Sequence, residues 1–380
     1  MNLTGSTPRI WLVIGDKLGD NAQVEIIADA LHLPYEIRRV LPKPQFVLGK
    51  PGFRPSLYHL DLDRSDKLEP PWPDLILTIG RRASMAALWI QEQSGGQSKI
   101  VLLGRPKRWM ERFSLIIVPS QYRMPDNPKV LHLELPLMRG NADAIAKAGE
   151  AWQARFADLP RPLTALLVGG QTKPFRFDAD AARTLLDSAS RAAAGGCLYV
   201  TTSRRTPPAV VDMFRQHLPS SARLYCWSPD SSDNPYLALL ALADRFIVTG
   251  DSVSMMVEVA RLGKPLAIFP LPYQKGIGPR LQQLLGNQLH GGTGSQRGGD
   301  RLLTGLGTLL YRLGLVRFSR DLTAVHRLLY ERRLAVPLGG NFIDDTRTPA
   351  DELRLVIPRI LELLPENAGA AEAQTDNHAS

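Results

Sequence analysis

The sequence predicts an α/β protein built from two doubly wound domains. Three observations predict it. Short continuous apolar runs alternate with segments of helical spacing. The alternation breaks at Leu159-Pro160-Arg161-Pro162 and then starts again. Two junctions also echo each other: LTIGRRASMAAL (77–88) and IVTGDSVSMMVE (247–258) both run apolar strand, glycine, three residues, Ser-Met, helix. Continuous apolar runs bounded by turns, with helices between them, read as parallel strands covered on both faces.

The elements follow in order. RIWLVIG (9–15) reads as a buried strand, and Ala22, Ile26, Ile27 and Ala30 give the next segment a helical spacing. YEIRRV (35–40) is a second strand, and LYHLDLD (57–63) is ambiguous. DLILTIG (74–80) is a strand, ASMAALWIQ a helix, and KIVLLG, SLIIVPS and VLHLELP three more strands. A linking helix is expected over 142–157. After the break come LTALLVGG (163–170), a helix over 178–194, CLYVTT (197–202), a helix after Pro207-Pro208, RLYCW (223–227), the apolar run YLALLALA (236–243), DRFIVTG (244–250), a helix, and PLAIFPL. Residues 275–300 read as a flexible Gly-, Gln- and Arg-rich loop, and 301–334 as basic amphipathic helix. DELRLVIPRILELL (351–364) is a last helix, with Pro358 a point for a kink. The expected domains are therefore 1–158 and 159–335, with a basic segment at 275–335. A helical region at 336–364 and a disordered tail at 365–380 follow.

Composition narrows the function. The 380 residues are 44% hydrophobic and 22% charged, as in soluble globular proteins. No apolar run approaches the ~18 residues of a membrane span, and the short run Trp11–Ile14 does not read as a secretory signal. The expected location is cytoplasmic, peripheral to the inner membrane. Cys197 and Cys226 are too few for a disulfide framework or a cysteine zinc site, and read as buried thiols in strands. The net charge of +9 is concentrated. Residues 271–335 hold ten Lys/Arg against three acids, which points to an anionic partner such as a membrane surface met by residues 301–334. No helix-turn-helix, zinc-finger or RNA-binding pattern appears, so no nucleic-acid partner is expected.

Open α/β sheets bind ligands at the carboxyl ends of their strands, and four junctions have suitable chemistry. The first is Gly15-Asp16-Lys17-Leu18-Gly19-Asp20. It is not G-x-G-x-x-G, and no G-x-x-x-x-G-K-[ST] occurs, so dinucleotide binding and P-loop chemistry lack their patterns. Asp20 suits either a helix N-cap or a general base facing an interdomain cleft, with Asp16 beside it. The second junction is Gly169-Gly170-Gln171-Thr172-Lys173. The third is Thr201-Thr202-Ser203-Arg204-Arg205-Thr206, where paired arginines suit either a diphosphate or an exposed basic loop. The fourth is Gly250-Asp251-Ser252-Val253-Ser254-Met255-Met256-Val257-Glu258. Val253, Met256, Val257 and Ala260 form an apolar stripe, and the methionines need no cofactor to explain them. Ser252 and Ser254 suit helix caps that leave further N–H groups for a phosphate. Glu258 suits either a solvated face or a pair of ribose hydroxyls.

Glu258, then Gly263, Pro265 and a strand, resembles the donor motif of glycosyltransferases with the two-Rossmann-domain GT-B fold. More narrowly, GDKLGDNAQ, GGQTKPFRF (169–177), TTSRRTP (201–207) and NPYLALLALADRFIVTGDSVSMMVEVARLGKP (234–265) resemble the mitochondrial-fission, "elongated mitochondria", family in its bacterial form. The resemblance covers roughly residues 9–275 and 335–364. It implies a GT-B-like fold, two Rossmann-like domains with a cleft between them, and a nucleotide-sugar site. Glu258 would be the ribose ligand. Gly170, Ser203, Arg204, Arg205, Gly250, Asp251, Ser252, Ser254 and Met255 would surround the diphosphate, and Asp20 and Asp16 would be the catalytic carboxylates. The implied reaction is inverting, metal-independent glycosyl transfer with the nucleotide sugar as donor and no cofactor. Epimerisation on the same fold and a non-catalytic role in membrane or organelle morphology are the alternatives.

Overall fold

The computed structural model describes residues 7–364 except 123, 125–126, 139–140, 230, 232, 275–320 and 346. The expected loop at 275–300, most of the basic segment 301–334 and the tail 365–380 lie outside the described residues.

The chain divides into two compact units. Unit 1 contains β1 (Ile10–Ile14), α1 (Leu18–Ala30), β2 (Tyr35–Arg39), α2 (Pro44–Leu48), β3 (Leu75–Ile79), α3 (Arg81–Gln93), β4 (Lys99–Leu103), β5 (Leu115–Pro119) and β6 (Val130–Leu133). Among the described residues its strands form one parallel sheet in the order β2-β1-β3-β4-β5-β6. Period-two alternation sends each strand's side chains to opposite faces. Ile10, Leu12 and Ile14 of β1 join Val24 and Ile27 of α1 in one buried cluster. Trp11 and Val13, between them, join Ala83, Ala87 and Ile90 of α3 in another. Both faces are covered, so the inner strands β1, β3, β4 and β5 read as nearly unbroken apolar runs, while the edge strand β2 does not.

Unit 2 begins with α4 (Ala142–Phe156). It continues with β7 (Leu163–Val168), α5 (Ala179–Ala192), β8 (Cys197–Thr202), α6 (Pro208–His217), β9 (Arg223–Tyr225), α7 (Tyr236–Leu242), β10 (Arg245–Thr249), α8 (Val253–Arg261) and β11 (Leu266–Phe269). It ends with α9 (Leu322–Glu331) and β12 (Val336–Pro337). Its described strands form a parallel sheet in the order β9-β8-β7-β10-β11-β12. That is the 3-2-1-4-5-6 order of a Rossmann-like domain, with its switch point between β7 and β10. The last helix, α10 (Leu353–Leu361), belongs to unit 1. Leu353, Val356 and Ile360 enter the α1 cluster. The Glu352 carboxylate accepts the Glu134 and Leu135 N–H groups at 2.5 and 2.9 Å.

The structure thus draws boundaries other than 158/159 and 335/336. The helix expected as a linker is part of unit 2, because Ile145, Gly149 and Phe156 are buried. A Cβ at Gly149 would stand 2.9 Å from that of Ala241 in α7, and Phe156 packs on Tyr199 at 5.4 Å between ring centroids. The region 336–364 is split, its first part adding β12 to unit 2 and α10 returning to unit 1. Residues 57–63 form turns around buried His59 and Leu60 rather than a strand. YLALLALA is α7, as a run of strong helix formers favours. Cys197 is buried, whereas Cys226 lies beyond β9 and is half-buried, so only one thiol matches the reading of buried strand cysteines.

His59 ties the segment between α2 and β3 to α3. Its Nε2–H donates to the Arg82 carbonyl at 3.0 Å, while Nδ1 is buried without a partner among the described residues. Burial lowers its pKa to about 4, with a smaller push from Arg82 and Lys43 outweighed in part by the carbonyl bond. A lowered base holds stability that is present above the unfolded value of about 6.5 and is lost as pH falls toward the folded one. Between pH 7 and pH 5 the native state should lose about 2 kcal/mol through this group. Urea unfolding of the wild type and of His59→Gln at both pH values checks this. The variant should lose less stability on acidification by that amount, and equal losses would remove His59 as the cause.

Candidate functional site

The carboxyl ends of β7, β8 and β10 bring three of the four junctions together in unit 2. At their centre is Asp251, buried to 2% exposure. Its Oδ2 accepts the Gly170 N–H at 2.8 Å, and its Oδ1 accepts the Thr249 hydroxyl at 2.8 Å. The same Thr249 oxygen accepts the Gly169 N–H at 2.8 Å. Arg205 stands 3.8 Å from Oδ2 and also donates to the Thr172 hydroxyl at 3.0 Å. Burial raises the Asp251 pKa, and the Gly170, Thr249 and Arg205 contacts oppose that rise. Ser203 and Thr206 send their hydroxyls to the Gly169 carbonyl at 3.1 and 2.7 Å.

Close approach explains the glycines. A Cβ at Gly169 would lie 2.5 Å from the Asp251 carboxylate, and one at Gly170 would lie 2.4 Å from the Arg205 carbonyl oxygen. A Cβ at Gly250 would lie 2.6 Å from the His326 ring. His326 is buried in α9, and its Nε2–H donates to the Gly250 carbonyl at 2.6 Å. Burial lowers its pKa, which keeps the ring neutral, although the Gly250 carbonyl and Asp321 act the other way.

Helix α8 starts from this network with an open end. Ser252 holds the N-cap place but makes no side-chain capping bond. Its hydroxyl is buried and has no partner among the described residues. The Ser252 N–H turns back to the Thr249 carbonyl at 3.1 Å. The N–H groups of Val253, Ser254 and Met255 meet no acceptor among the described residues. Of the described helices only α4, α5 and α9 carry side-chain caps, from Asn141, Asp178 and Asp321, so what sets α8 apart is the buried Ser252 hydroxyl at its start. Three N–H groups without a described acceptor, a helix dipole and a hydroxyl without a described partner suit an anionic oxygen.

One turn further along α8, Glu258 is half-buried. Its Oε2 accepts the Tyr236 hydroxyl at 2.5 Å, and its Oε1 makes no hydrogen bond to a described residue. Burial raises the Glu258 pKa against the lowering effect of Tyr236. Gly263 ends α8 at φ 63°, the left-handed turn that glycine favours. Lys264 then donates to the Ala241 and Ala243 carbonyls at the end of α7. The Gly-Lys-Pro that follows Glu258 is thus explained by helix termination.

The expected site residues separate as follows. Gly170, Ser203, Arg205, Gly250, Asp251 and Ser252 converge in one network, and Ser254, Met255 and Glu258 continue it along α8. Ser254 is exposed, so neither serine caps the helix. Met256, Val253, Val257 and Ala260 are buried as the stripe requires. Arg204 is exposed and bonds to no described residue. Asp16 and Asp20 belong to unit 1, after β1. Asp16 is exposed. Asp20 lies in the first turn of α1, 3.9 Å from Lys17, which itself holds the N-cap place. Asp20 is therefore not the cap, because the helix already begins at Leu18. Sequence reading missed Thr249, Tyr236 and His326, whose partners lie 2, 22 and 76 residues away. A hydroxyl two residues before the carboxylate was the one local clue. Among the described residues no cluster of three or more His, Cys, Asp or Glu side chains is placed to hold a metal ion. No helix among them is long and apolar enough to cross a membrane.

Thr249→Val keeps the shape and removes the hydroxyl. It strands the Gly169 N–H and one Asp251 oxygen, which should cost about 1–3 kcal/mol. Urea unfolding measures it, and a loss below about 0.5 kcal/mol would contradict the bridging role.

The profile of the family described as Mitochondrial fission ELM1 matches residues 19–288. A protein of Arabidopsis thaliana described as mitochondrial fission protein ELM1 is 28% identical over 223 residues, covering 53% of this chain and 52% of that protein. The chain thus spans about half the length of that relative. An uncharacterized protein of Rickettsia prowazekii is 27% identical over 299 residues, 69% of this chain and 83% of its own. Among solved structures, a UDP-GlcNAc 2-epimerase from Neisseria meningitidis bound to UDP-GlcNAc aligns at TM-score 0.41 and 12% identity over 86% of this chain and 99% of its own. The Arabidopsis thaliana UGT89C1 complexed with UDP-L-rhamnose aligns at TM-score 0.42 and 12% identity over 87% and 94%. The chain belongs to the Mitochondrial fission ELM1 family.

Proposed function

We propose that this member of the Mitochondrial fission ELM1 family binds a nucleotide sugar in unit 2 and transfers the sugar to an acceptor. The observation that carries the reading is the open N-terminus of α8 at the switch point. There, N–H groups without an acceptor among the described residues and the buried Ser252 hydroxyl follow directly on Asp251, whose carboxylate lies 3.8 Å from the Arg205 guanidinium. A diphosphate placed there would gain the helix dipole and charge-assisted bonds without a metal ion. Asp251 would not touch it directly, since its oxygens already serve Gly170 and Thr249. Glu258, one turn along, would receive ribose hydroxyls on the carboxylate oxygen left free by Tyr236. Arg204, exposed on the β8 loop, would add positive charge to the approach.

In the transfer step Asp20 would take the acceptor proton. It stands half-exposed in the first turn of α1, at the carboxyl end of β1. Strands β1 and β3 form the switch point of the unit 1 sheet, the place where that sheet would receive a second ligand. The family name favours a second reading, in which the same site regulates a protein of organelle or envelope morphology without turnover.

A thermal-shift screen with nucleoside diphosphates and their sugars tests the binding. A ligand at about 100 times its Kd should add ~2.7 kcal/mol, a shift of several degrees. Ser252→Ala and Arg205→Met should each weaken that binding about tenfold or more while the proteins stay folded. No shift with any nucleotide, from a folded sample, would overturn the reading. Binding without release of the nucleoside diphosphate in the presence of candidate acceptors would favour the non-catalytic reading.

A further inference from the structure

We propose that Tyr236 is a positioning residue for Glu258, and that it makes the site selective for ribonucleotides over 2′-deoxyribonucleotides. The inference rests on the nucleotide reading above and deepens it. Glu258 has three rotatable side-chain bonds and stands on the second turn of α8, where an unheld carboxylate would sample several rotamers. Tyr236 removes that freedom through the 2.5 Å bond from its hydroxyl to Oε2.

Tyr236 is itself held on both sides. Its N–H donates to the Asn234 side chain at 3.0 Å, and Pro235 sets the entry into α7. Ala238, Leu239 and Leu240 of that helix are buried, and Lys264 fastens the far end through the Ala241 and Ala243 carbonyls. The hydroxyl therefore reaches Glu258 from a fixed frame.

The choice of a tyrosine matters chemically. A lysine or arginine in its place would neutralise Glu258 and fill its acceptor sites. A phenol gives one hydrogen bond and leaves the negative charge and the Oε1 lone pairs in place. Burial and the neighbouring carboxylate hold the Tyr236 pKa well above its usual value, so the phenol remains a donor. A half-buried carboxylate with an oriented free oxygen is built to accept from hydroxyl groups. A ligand lacking the 2′-hydroxyl would leave that acceptor desolvated and unpaired, which is how a polar site rejects an analogue. The substrate class is then a ribonucleoside diphosphate sugar, and thymidine diphosphate sugars, which are 2′-deoxy, are disfavoured.

Calorimetry with ADP, GDP, CDP and UDP, each against its 2′-deoxy counterpart, tests this on wild type, Tyr236→Phe, Asn234→Ala and Ser252→Ala. Wild type should prefer its ribonucleotide by about tenfold or more. Tyr236→Phe removes a single oxygen atom and should cut that ratio to about twofold. Asn234→Ala, on an exposed loop, should lower it in the same direction and keeps the test open if the phenylalanine variant is unfolded. Ser252→Ala should weaken both ligands and leave the ratio intact. A merely structural tyrosine would leave the ratio unchanged. If wild type discriminates and both Tyr236→Phe and Asn234→Ala keep the ratio, Tyr236 has no positioning role and the ribose reading of Glu258 survives. If wild type binds nucleotide without preference, the ribose role of Glu258 falls and this proposal with it. If no nucleotide binds, the nucleotide reading itself is overturned.

Discussion

A carboxylate removed from water must find donors, and Asp251 finds them on three loops. The Gly170 amide comes from the end of β7, Arg205 from the loop after β8, and the Thr249 hydroxyl from the end of β10. This arrangement costs desolvation, as the upward push on its pKa records. The return is geometric. Three loops that would otherwise move independently are fixed around one group, and Gly169 and Gly170 have no room for a side chain. His326 closes the fourth side by holding the Gly250 carbonyl from α9. The start of α8 is thereby placed, and its first amides have no side-chain cap and no acceptor among the described residues. Everything proposed for the site depends on that placement.

The two units use the same junction for different ends. The repeated strand-Gly-helix pattern lies at β3–α3 in unit 1 and at β10–α8 in unit 2. At Gly80 the glycine supplies φ 81°, whereas at Gly250 it supplies room for the His326 ring. The Ser84 hydroxyl folds back on the Gly80 and Arg81 carbonyls, but the matching Ser254 is exposed. The sheet orders differ as well, with β2 alone beyond β1 in unit 1 and both β8 and β9 beyond β7 in unit 2. A shared pattern of residues therefore gives related architecture without giving the same site.

Most strands were legible because sheets covered on both faces leave uninterrupted apolar runs, as in IWLVI, LILTI and LTALLV. What the sequence left open has physical causes. Leu-Ala runs carry no period, so α7 could not be told from a strand before its packing was known. Residues 57–63 alternate like a strand, but His59 and Leu60 are both buried by turns. Ser252, Glu258 and Asp251 stood out as chemistry-bearing residues at a strand-to-helix junction. That Asp251 ties three loops together was not readable, because two of its three partners are distant in sequence. His326 looked like any histidine on an apolar helix face, and only its contact with Gly250 gives it a role. Domain limits misled because α10 returns to unit 1 after unit 2 is complete.

If the uncapped start of α8 holds a nucleoside diphosphate as proposed, its backbone amides must be shielded when that ligand binds. Amide hydrogen exchange with and without saturating ligand, followed by peptide mass spectrometry, reads it most directly. Peptides spanning 250–258 should then exchange more slowly with ligand bound, with a smaller effect over 169–173. Exchange unchanged over 250–258 while another part of the chain becomes protected would contradict it.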